Sequence, residues 1–527
     1  MPKMKLLRRG VQLLALFFFI ILLFGTTWPL RTPVRPQIFL QADPLAALAV
    51  ALSPERSTAL LGLFWPALAL LGLTLLLGRF FCGWLCPLGA CIDIADWALW
   101  RRVKKRRPQL NRPRLKYYLL ALVLGAALFG THLFWILDPI PLLTRTFATL
   151  IEPAGKAFYN AALFKMDPLL VTLGLRLDPL PVHPFALNLL VALVFTAVLG
   201  LSLLSRRYWC RSLCPLGALL AFLGRFGLWR RQVAETCLTC KCCTLDCKMG
   251  AIPEEEPTTT RQAECIQCYD CLGCCKPACT SISLTFRSAG VSPTPTPGGR
   301  AARATGGLLG GLDAATDVDR RRFLGILALG ATYGLVAVSG VGRRPKQSRL
   351  IRPPGAIVRR PNGEFKRTMT EEEFRDKCLR CGQCMKACIT GGLQPAVVEA
   401  GFDGFYTPIL VPRVGWCEQN CAACGQVCPS GALIPFTIAE KKDIQIGLAT
   451  IDHSKCLAWR EGRFYRQCLV CNEHCSYGAV KILRFQGADR PFVDDNTCVG
   501  CGICEAACPV KPEAAIVAYR RGRPDET

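Results

Sequence analysis

Four apolar segments of spanning length, and 32 cysteines held mostly in tight groups with two- and three-residue gaps, predict the fold class. It is a four-helix transmembrane domain followed by α+β ferredoxin-like iron–sulfur modules, one two-cluster and one four-cluster, with a fifth membrane-anchor helix between them. A disulfide scaffold suits a small secreted chain with scattered Cys, not 527 residues that are half apolar. Clustered thiols at short gaps are how metal clusters are held.

The apolar segments run over Val11–Leu30, Thr58–Gly78, Tyr117–Leu137 and Phe185–Leu204, each about 20 residues, enough at 1.5 Å per residue to cross the hydrocarbon core. Lys3, Lys5, Arg8 and Arg9 precede the first. The loop from Arg79 to Lys116 carries ten basic residues against Asp93 and Asp96, and six arginines with no acid follow the fourth segment. The positive-inside bias therefore puts the N-terminus, that loop and residues 232–319 in the cytoplasm. The net charge of +26 is then largely a topology signal, and no base-recognition motif accompanies it, so no nucleic acid is expected.

The membrane half, residues 1–231, repeats internally. Phe81-Cys82-Gly83-Trp84-Leu85-Cys86-Pro87-Leu88-Gly89-Ala90 matches Trp209-Cys210-Arg211-Ser212-Leu213-Cys214-Pro215-Leu216-Gly217-Ala218. Pro87 and Pro215 suit the first turn of a new helix, so each C-x3-C-P turn ends one span and starts an interfacial helix. Cys82, Cys86, Cys210 and Cys214 are candidates for a redox or metal role, with buried packing cysteines as the plainer alternative.

Residues 232–285 hold two C-x2-C-x2-C-x3-C runs: Cys237, Cys240, Cys243, Cys247 and Cys265, Cys268, Cys271, Cys275. In two-cluster ferredoxins the fourth Cys of each run ligates the other cluster. One [4Fe–4S] site is then Cys237, Cys240, Cys243 and Cys275, and the other Cys265, Cys268, Cys271 and Cys247. Lys248 stands where proline usually follows. Cys242, Cys274 and Cys279 are surplus, as is Cys91, and a register through Cys268, Cys271 and Cys274 stays open. Structural zinc normally uses Cys pairs, not three successive short steps.

Residues 286–319 are rich in Gly, Pro, Ser and Thr and read as a flexible linker. Arg320-Arg321-Arg322-Phe323-Leu324 then opens an apolar stretch, 320–342, that resembles an internal twin-arginine export signal and a marginal anchor helix. A membrane span of other topology and a soluble helix are the alternatives.

Residues 343–527 carry sixteen cysteines in four motifs. The first is Cys378, Cys381, Cys384, Cys388; the second Cys417, Cys421, Cys424, Cys428; the third Cys456, Cys468, Cys471, Cys475; the fourth Cys498, Cys501, Cys504, Cys508. Sixteen thiolates suit four [4Fe–4S] clusters, which with the earlier pair makes about six.

The paired C-x3-C-P motifs and the runs after them resemble the NapH/MauN type of membrane ferredoxin over about residues 1–285. From Arg352-Pro353-Pro354-Gly355-Ala356 onward the chain resembles the NapG/MauM type, over about 350–520. The first resemblance implies quinol oxidation and electron supply to a periplasmic reductase or cytochrome. Similarity to four-cluster electron-transfer subunits implies that the first motif exchanges its last Cys with the fourth, and the second with the third.

No dinucleotide fingerprint, phosphate loop or C-x-x-C-H haem attachment is present, so neither flavin nor haem is expected, and no catalytic residue is assigned. His453 and His474 adjoin cluster cysteines. His132, near Asp138, is a candidate for quinone or proton contact, with a helix-end role as the alternative. The expected function is a multi-pass inner-membrane electron carrier linking the quinone pool to a separate oxidoreductase, with its C-terminal domain periplasmic. A maturation factor for a partner metalloenzyme, and a redox subunit facing the cytoplasm, are the rivals.

Overall fold

The computed structural model describes residues 2–27, 29, 37–53, 62–102, 112–172, 174–234, 237–273, 279–284, 319–338, 350–356, 369–397, 399–461 and 465–520. The expected linker at 286–319 lies outside them except for Asp319, and so do Cys274 and Cys275. The chain divides into two compact units, one of residues 1–21, 39–143 and 194–336, the other of 22–38, 144–193 and 337–527.

Among the described residues only Met4–Phe24 is a helix long and apolar enough to cross a membrane. This corrects the expectation of four full spans. Helices Trp65–Leu77 and Leu115–Ala127 have 13 residues each, about 20 Å of rise against roughly 30 Å of hydrocarbon. Hydropathy reads apolarity and not backbone direction: Gly78 (φ 71°) stops one helix and Gly130 (φ 74°) breaks the next apolar run. The fourth segment likewise begins its helix at Asn188, after Leu187 at φ 67°.

Helix Arg320–Val338 lies against Leu115–Ala127. A Cβ on Gly330 would strike the Leu122 carbonyl, one on Gly334 would crowd the Ala126 carbonyl, and one on Gly125 would strike that of Leu327. Small residues thus let two backbones touch, as at interfaces between membrane helices. Leu122 pairs with Gly330 and Ala126 with Gly334, so the two helices run in the same direction.

Two helices start at the C-x3-C-P turns, Pro87–Arg102 and Pro215–Gly224. Each has Pro at its first position and a cysteine as N-cap: the Gly89 N–H donates to Cys86 Sγ at 3.4 Å and the Gly217 N–H to Cys214 Sγ at 3.2 Å. The chain then forms an antiparallel hairpin, Trp229–Val233 with Thr280–Leu284, that brackets the two-cluster module.

The second unit is mostly loops and short elements packed around cysteines. Three two-stranded antiparallel sheets pin them: Leu393–Pro395 with Pro408–Leu410, Leu448–Ile451 with Ile516–Tyr519, and Val480–Phe485 with Ala488–Val493. The same unit contains helix Glu152–Thr172, and the cysteine-rich part grips it. Lys386 pairs with Glu152 at 3.1 Å, and both side chains are buried. The Tyr406 hydroxyl lies 3.1 Å from that of Thr149, and Gln394 bonds Pro184 O and Ala186 N.

Candidate iron–sulfur sites

Four motifs share a conformation as well as a spacing. In the C-x2-C-x2-C runs beginning at Cys237, Cys265, Cys378 and Cys498, the residues before and after the second cysteine are left-handed. They are Thr239 and Lys241, Gln267 and Tyr269, Arg380 and Gly382, Gly500 and Gly502. Alternating handedness turns successive backbone N–H groups inward, a concavity suited to an anion. Non-glycine residues rarely hold this conformation, so its repetition at matched positions marks the loops as shaped for what they bind.

The thiols gather in quartets. Cys265, Cys268 and Cys271 line one cavity with Cys247, the crossed set expected from spacing. Cys237, Cys240 and Cys243 are described, but their expected fourth ligand is not. Cys378, Cys381 and Cys384 share a cavity with Cys428, and Cys456, Cys468 and Cys471 share one with Cys508. Cys388 lies within electrostatic reach of Cys417, Cys421 and Cys424, and Cys475 of Cys498, Cys501 and Cys504.

The exchange expected from resemblance is therefore corrected. The first motif exchanges its last Cys with the second, not the fourth, and the third with the fourth. The reason is the path of the chain: the hairpin Leu393–Pro395/Pro408–Leu410 folds the second motif back beside the first. The two pairs then meet where the Cys417 N–H donates to Cys501 O at 2.9 Å, with Tyr477 beside both thiols. Connectivity makes a row: Cys378 quartet, Cys417 quartet, Cys498 quartet, Cys456 quartet.

These quartets fit [4Fe–4S] clusters. Each offers four buried or half-buried thiols, and the crossing cysteines are oriented by backbone donors: Ala251 N–H to Cys247 Sγ (3.2 Å), Leu433 N–H to Cys428 Sγ (3.3 Å) and Ala479 N–H to Cys475 Sγ (3.2 Å). Among the described residues no three Cys, His, Asp or Glu side chains converge as a single ion would require. A bound cluster supplies one-electron chemistry.

The C-x3-C-P cysteines also come together. Cys82 and Cys210 lie within electrostatic reach of each other and of both Cys86 and Cys214. Burial holds the Cys86 and Cys214 thiols well above their usual range and pushes Cys210 up to about 11, which as free thiols makes them unreactive near neutral pH.

Two buried arginines brace this group, and sequence reasoning missed them. Each stands three residues before its motif's first cysteine and reaches into the other repeat. Arg207 donates to Cys82 O (3.1 Å), Gly89 O (3.3 Å) and Asp93 (2.8 Å). Arg79 lies against Gly217 and donates to Ala263 O (3.2 Å) and Glu264 (3.0 Å). The signal was in the repeat itself, which reads R-x2-C-x3-C-P twice.

The two-cluster module is clamped to the first repeat. Gly83 leaves room for the Ile266 carbonyl, and Trp84 Nε1–H donates to Gln267 O at 3.1 Å. The surplus Cys91 is pushed up to about 11 by burial, Cys242 is half-buried, and Cys279 is in a disulfide. His453 stacks on Trp459 with ring centres 3.6 Å apart, and His474 Nδ1 lies 3.0 Å from Val470 O; both serve local packing. His132 is fully buried, edge-on to Phe134.

Two family models match, both described as 4Fe-4S binding domains. One covers residues 58–108 and 187–233, the two C-x3-C-P repeats, and the other residues 489–510. The ferredoxin-type protein NapG of Escherichia coli K12 is 34% identical over 217 residues, which span 38% of this chain and 84% of that protein. NapG of Shigella flexneri matches equally. The methylamine utilization ferredoxin-type protein MauM of Paracoccus denitrificans is 32% identical over 209 residues, 38% of this chain and 83% of the relative. No solved structure matches the chain.

Proposed function

This chain belongs to the family of ferredoxin-type iron–sulfur proteins that includes NapG and MauM, and from that premise we propose that it is a membrane-bound carrier of single electrons. It links the quinone pool to a separate oxidoreductase on the outer side of the cytoplasmic membrane. About six [4Fe–4S] clusters do the carrying, two in residues 232–285, on the cytoplasmic side, and four in residues 343–527. The first 285 residues act as a NapH/MauN-like membrane half.

The observation that carries this reading is the glycine-lined parallel packing of helix Arg320–Val338 on Leu115–Ala127. The third apolar segment follows the basic loop and so starts in the cytoplasm. A helix running parallel to it starts on the same side, which supports an outer position for residues 343–527. Consistent with this, the four-cluster part grips residues 144–186, which follow the outer end of the same segment. Lipid contact is supported by large apolar side chains turned outward on three helices: Leu14, Phe17 and Phe18; Leu68, Leu75 and Leu76; Leu324, Leu329 and Leu335.

The test is protease accessibility of the C-terminal domain in spheroplasts, with Arg320 and Arg321 intact and then both changed to Lys. Cleavage from outside that disappears in the double variant supports export and a periplasmic partner. Protection of the intact protein overturns it and leaves all clusters facing the cytoplasm.

A further inference from the structure

We propose that a cavity of about 650 Å³ beside the two-cluster module receives the head group of a lipid-soluble quinol, with Gln12 and Asp96 as its polar contacts. The inference rests on the quinone-linked reading above and gives it a place. The volume lies in the range of small-molecule sites.

Four parts of the chain build the walls: helix Pro2–Phe24, helix Pro87–Arg102, Arg206 in the turn before the second C-x3-C-P motif, and the turns of the two-cluster module. Leu13, Ile94 and Trp97 line it and are 53%, 47% and 62% exposed. An entrance of exposed apolar groups on the membrane-spanning helix and the interfacial helix suits a ligand that arrives through lipid, and tryptophan is favoured at that depth.

Inside, Gln12 is 4% exposed and its side-chain Nε2 has no hydrogen-bond partner among the described residues. A buried donor left unmade costs free energy unless something supplies the acceptor. Asp96, 5% exposed, takes the Arg207 backbone N–H at 3.1 Å, and burial raises its carboxyl above the usual range. A donor amide and a carboxyl poised to exchange a proton match the carbonyl and hydroxyl of a quinone/quinol pair.

The remaining charges do not call for an anion. Five basic and four acidic side chains line the space, and the innermost pair with one another: Lys5 with Asp270 (2.8 Å), Arg8 with Asp93 (3.4 Å) and Lys248 with Asp93 (3.3 Å).

The wall also adjoins a candidate cluster site along the chain. Lys248 and Asp270 adjoin Cys247 and Cys271 in sequence, and these belong to one quartet with Cys265 and Cys268. In the step, both quinol O–H bonds break and quinone forms. A cluster held by those four cysteines would accept the two electrons one at a time, for onward transfer to the partner oxidoreductase. Two protons leave for cytoplasmic water, one through the ionised Asp96 carboxylate.

The experiment uses the full-length, cluster-loaded protein in lipid nanodiscs and a fluorescent hydroxyquinoline N-oxide analogue of quinol as probe. We expect saturable quenching, weakened roughly tenfold by Gln12→Leu, the scale of one lost hydrogen bond at a buried group, and comparably by Trp97→Ala. Trp97 is exposed, so that variant keeps the fold, and cluster absorbance near that of the wild type verifies both. Unchanged affinity in both variants overturns the site, as does displacement of the probe by inorganic phosphate, which would mark a head-group anion site instead. Reduction by menadiol separates this from the broader reading. If wild-type clusters are reduced while the variants bind the probe normally, the cavity is wrong and the quinone link stands. If the wild type neither binds nor is reduced, both fail.

Discussion

Arg79 and Glu264 form a fully buried ion pair of 3.0 Å that ties the turn before the first C-x3-C-P motif to the turn before Cys265. Lys116 shares the same carboxylate, and the Tyr117 hydroxyl donates to its other oxygen at 3.1 Å. Burial alone would raise the Glu264 carboxyl; Lys116 and Arg79 overcome it and hold the group below its ordinary 4.5. A lowered carboxyl stabilises the fold above its unfolded value, and the benefit is lost as pH falls through the folded one. Glu264→Ala strands two buried cations, and removing one partner of a buried pair costs roughly 3–5 kcal/mol. We expect a large drop in thermal stability at pH 7, shrinking below about pH 4, with loss of the two-cluster signal. A near-neutral effect at pH 7 would show that the module is held elsewhere.

The ligand exchange in the four-cluster part is open to a spectroscopic test. Cys428→Ala removes the same paramagnetic species as Cys381→Ala, and Cys508→Ala the same as Cys471→Ala, because each pair shares one cavity. Electron paramagnetic resonance of dithionite-reduced single variants reads this directly. Loss of one common species in Cys508→Ala and Cys381→Ala would restore the exchange between first and fourth motifs.

The contrast between spacing and exchange shows what sequence carries. Ligand identity was legible because three short gaps wrap thiolates round one face of a cube, and the left-handed pairs such as Arg380 and Gly382 are the backbone's way of closing those gaps. Which motif lends its last cysteine to which depends on how the hairpin at Leu393–Leu410 folds back, a long-range packing outcome with no local signature. Helix length failed for another reason. Apolar residues continue through Gly78 and Gly130, but a positive φ at each ends the helix without changing hydropathy. Arg79 and Arg207 were legible in principle, since R-x2-C-x3-C-P occurs twice in the chain; they read as topology signals because a buried arginine looks no different in sequence from an exposed one.

Asp43 and Asp138 form a second relationship with a pH signature. Both are fully buried and act locally as helix caps: the Asp43 carboxylate accepts from Leu45 and Ala46, and that of Asp138 from Ile140. Burial pushes Asp43 up to about 6 and Asp138 well above its ordinary value, with the neighbouring Asp43 adding to the latter. The pair is therefore expected to hold one proton between them. A raised carboxyl makes the folded state bind more protons than the unfolded one, so stability is full below about pH 4 and falls as pH rises through 6 and beyond. A rise of about two units corresponds to roughly 3 kcal/mol. Asp138→Asn replaces the shared proton with an amide N–H. Its melting temperature should be nearly constant between pH 5 and 8, where the wild type declines. A wild-type profile flat over that range would mean that no proton is shared.

Arg231 offers a direct handle on one cluster's potential. Its Nη2 donates to Cys243 Sγ at 3.3 Å, while Nη1 donates to Pro257 O at 3.2 Å and to the Thr260 hydroxyl at 3.1 Å. A charged donor to a ligand sulfur favours the reduced, more negative cluster, and hydrogen bonds of this kind are among the levers that set iron–sulfur potentials. Hydrogen bonds to charged groups contribute about 1.5–3 kcal/mol, and for one electron about 60 mV corresponds to 1.4 kcal/mol. Arg231→Gln should therefore lower the potential of the Cys243 cluster by roughly 60–130 mV, while Arg231→Lys keeps the charge and most of the potential. Potentiometric titration followed by electron paramagnetic resonance distinguishes this cluster from the Cys265 quartet. If both variants leave every midpoint where it was, Cys243 is not an iron ligand, and the surplus Cys242 beside it becomes the residue to substitute next.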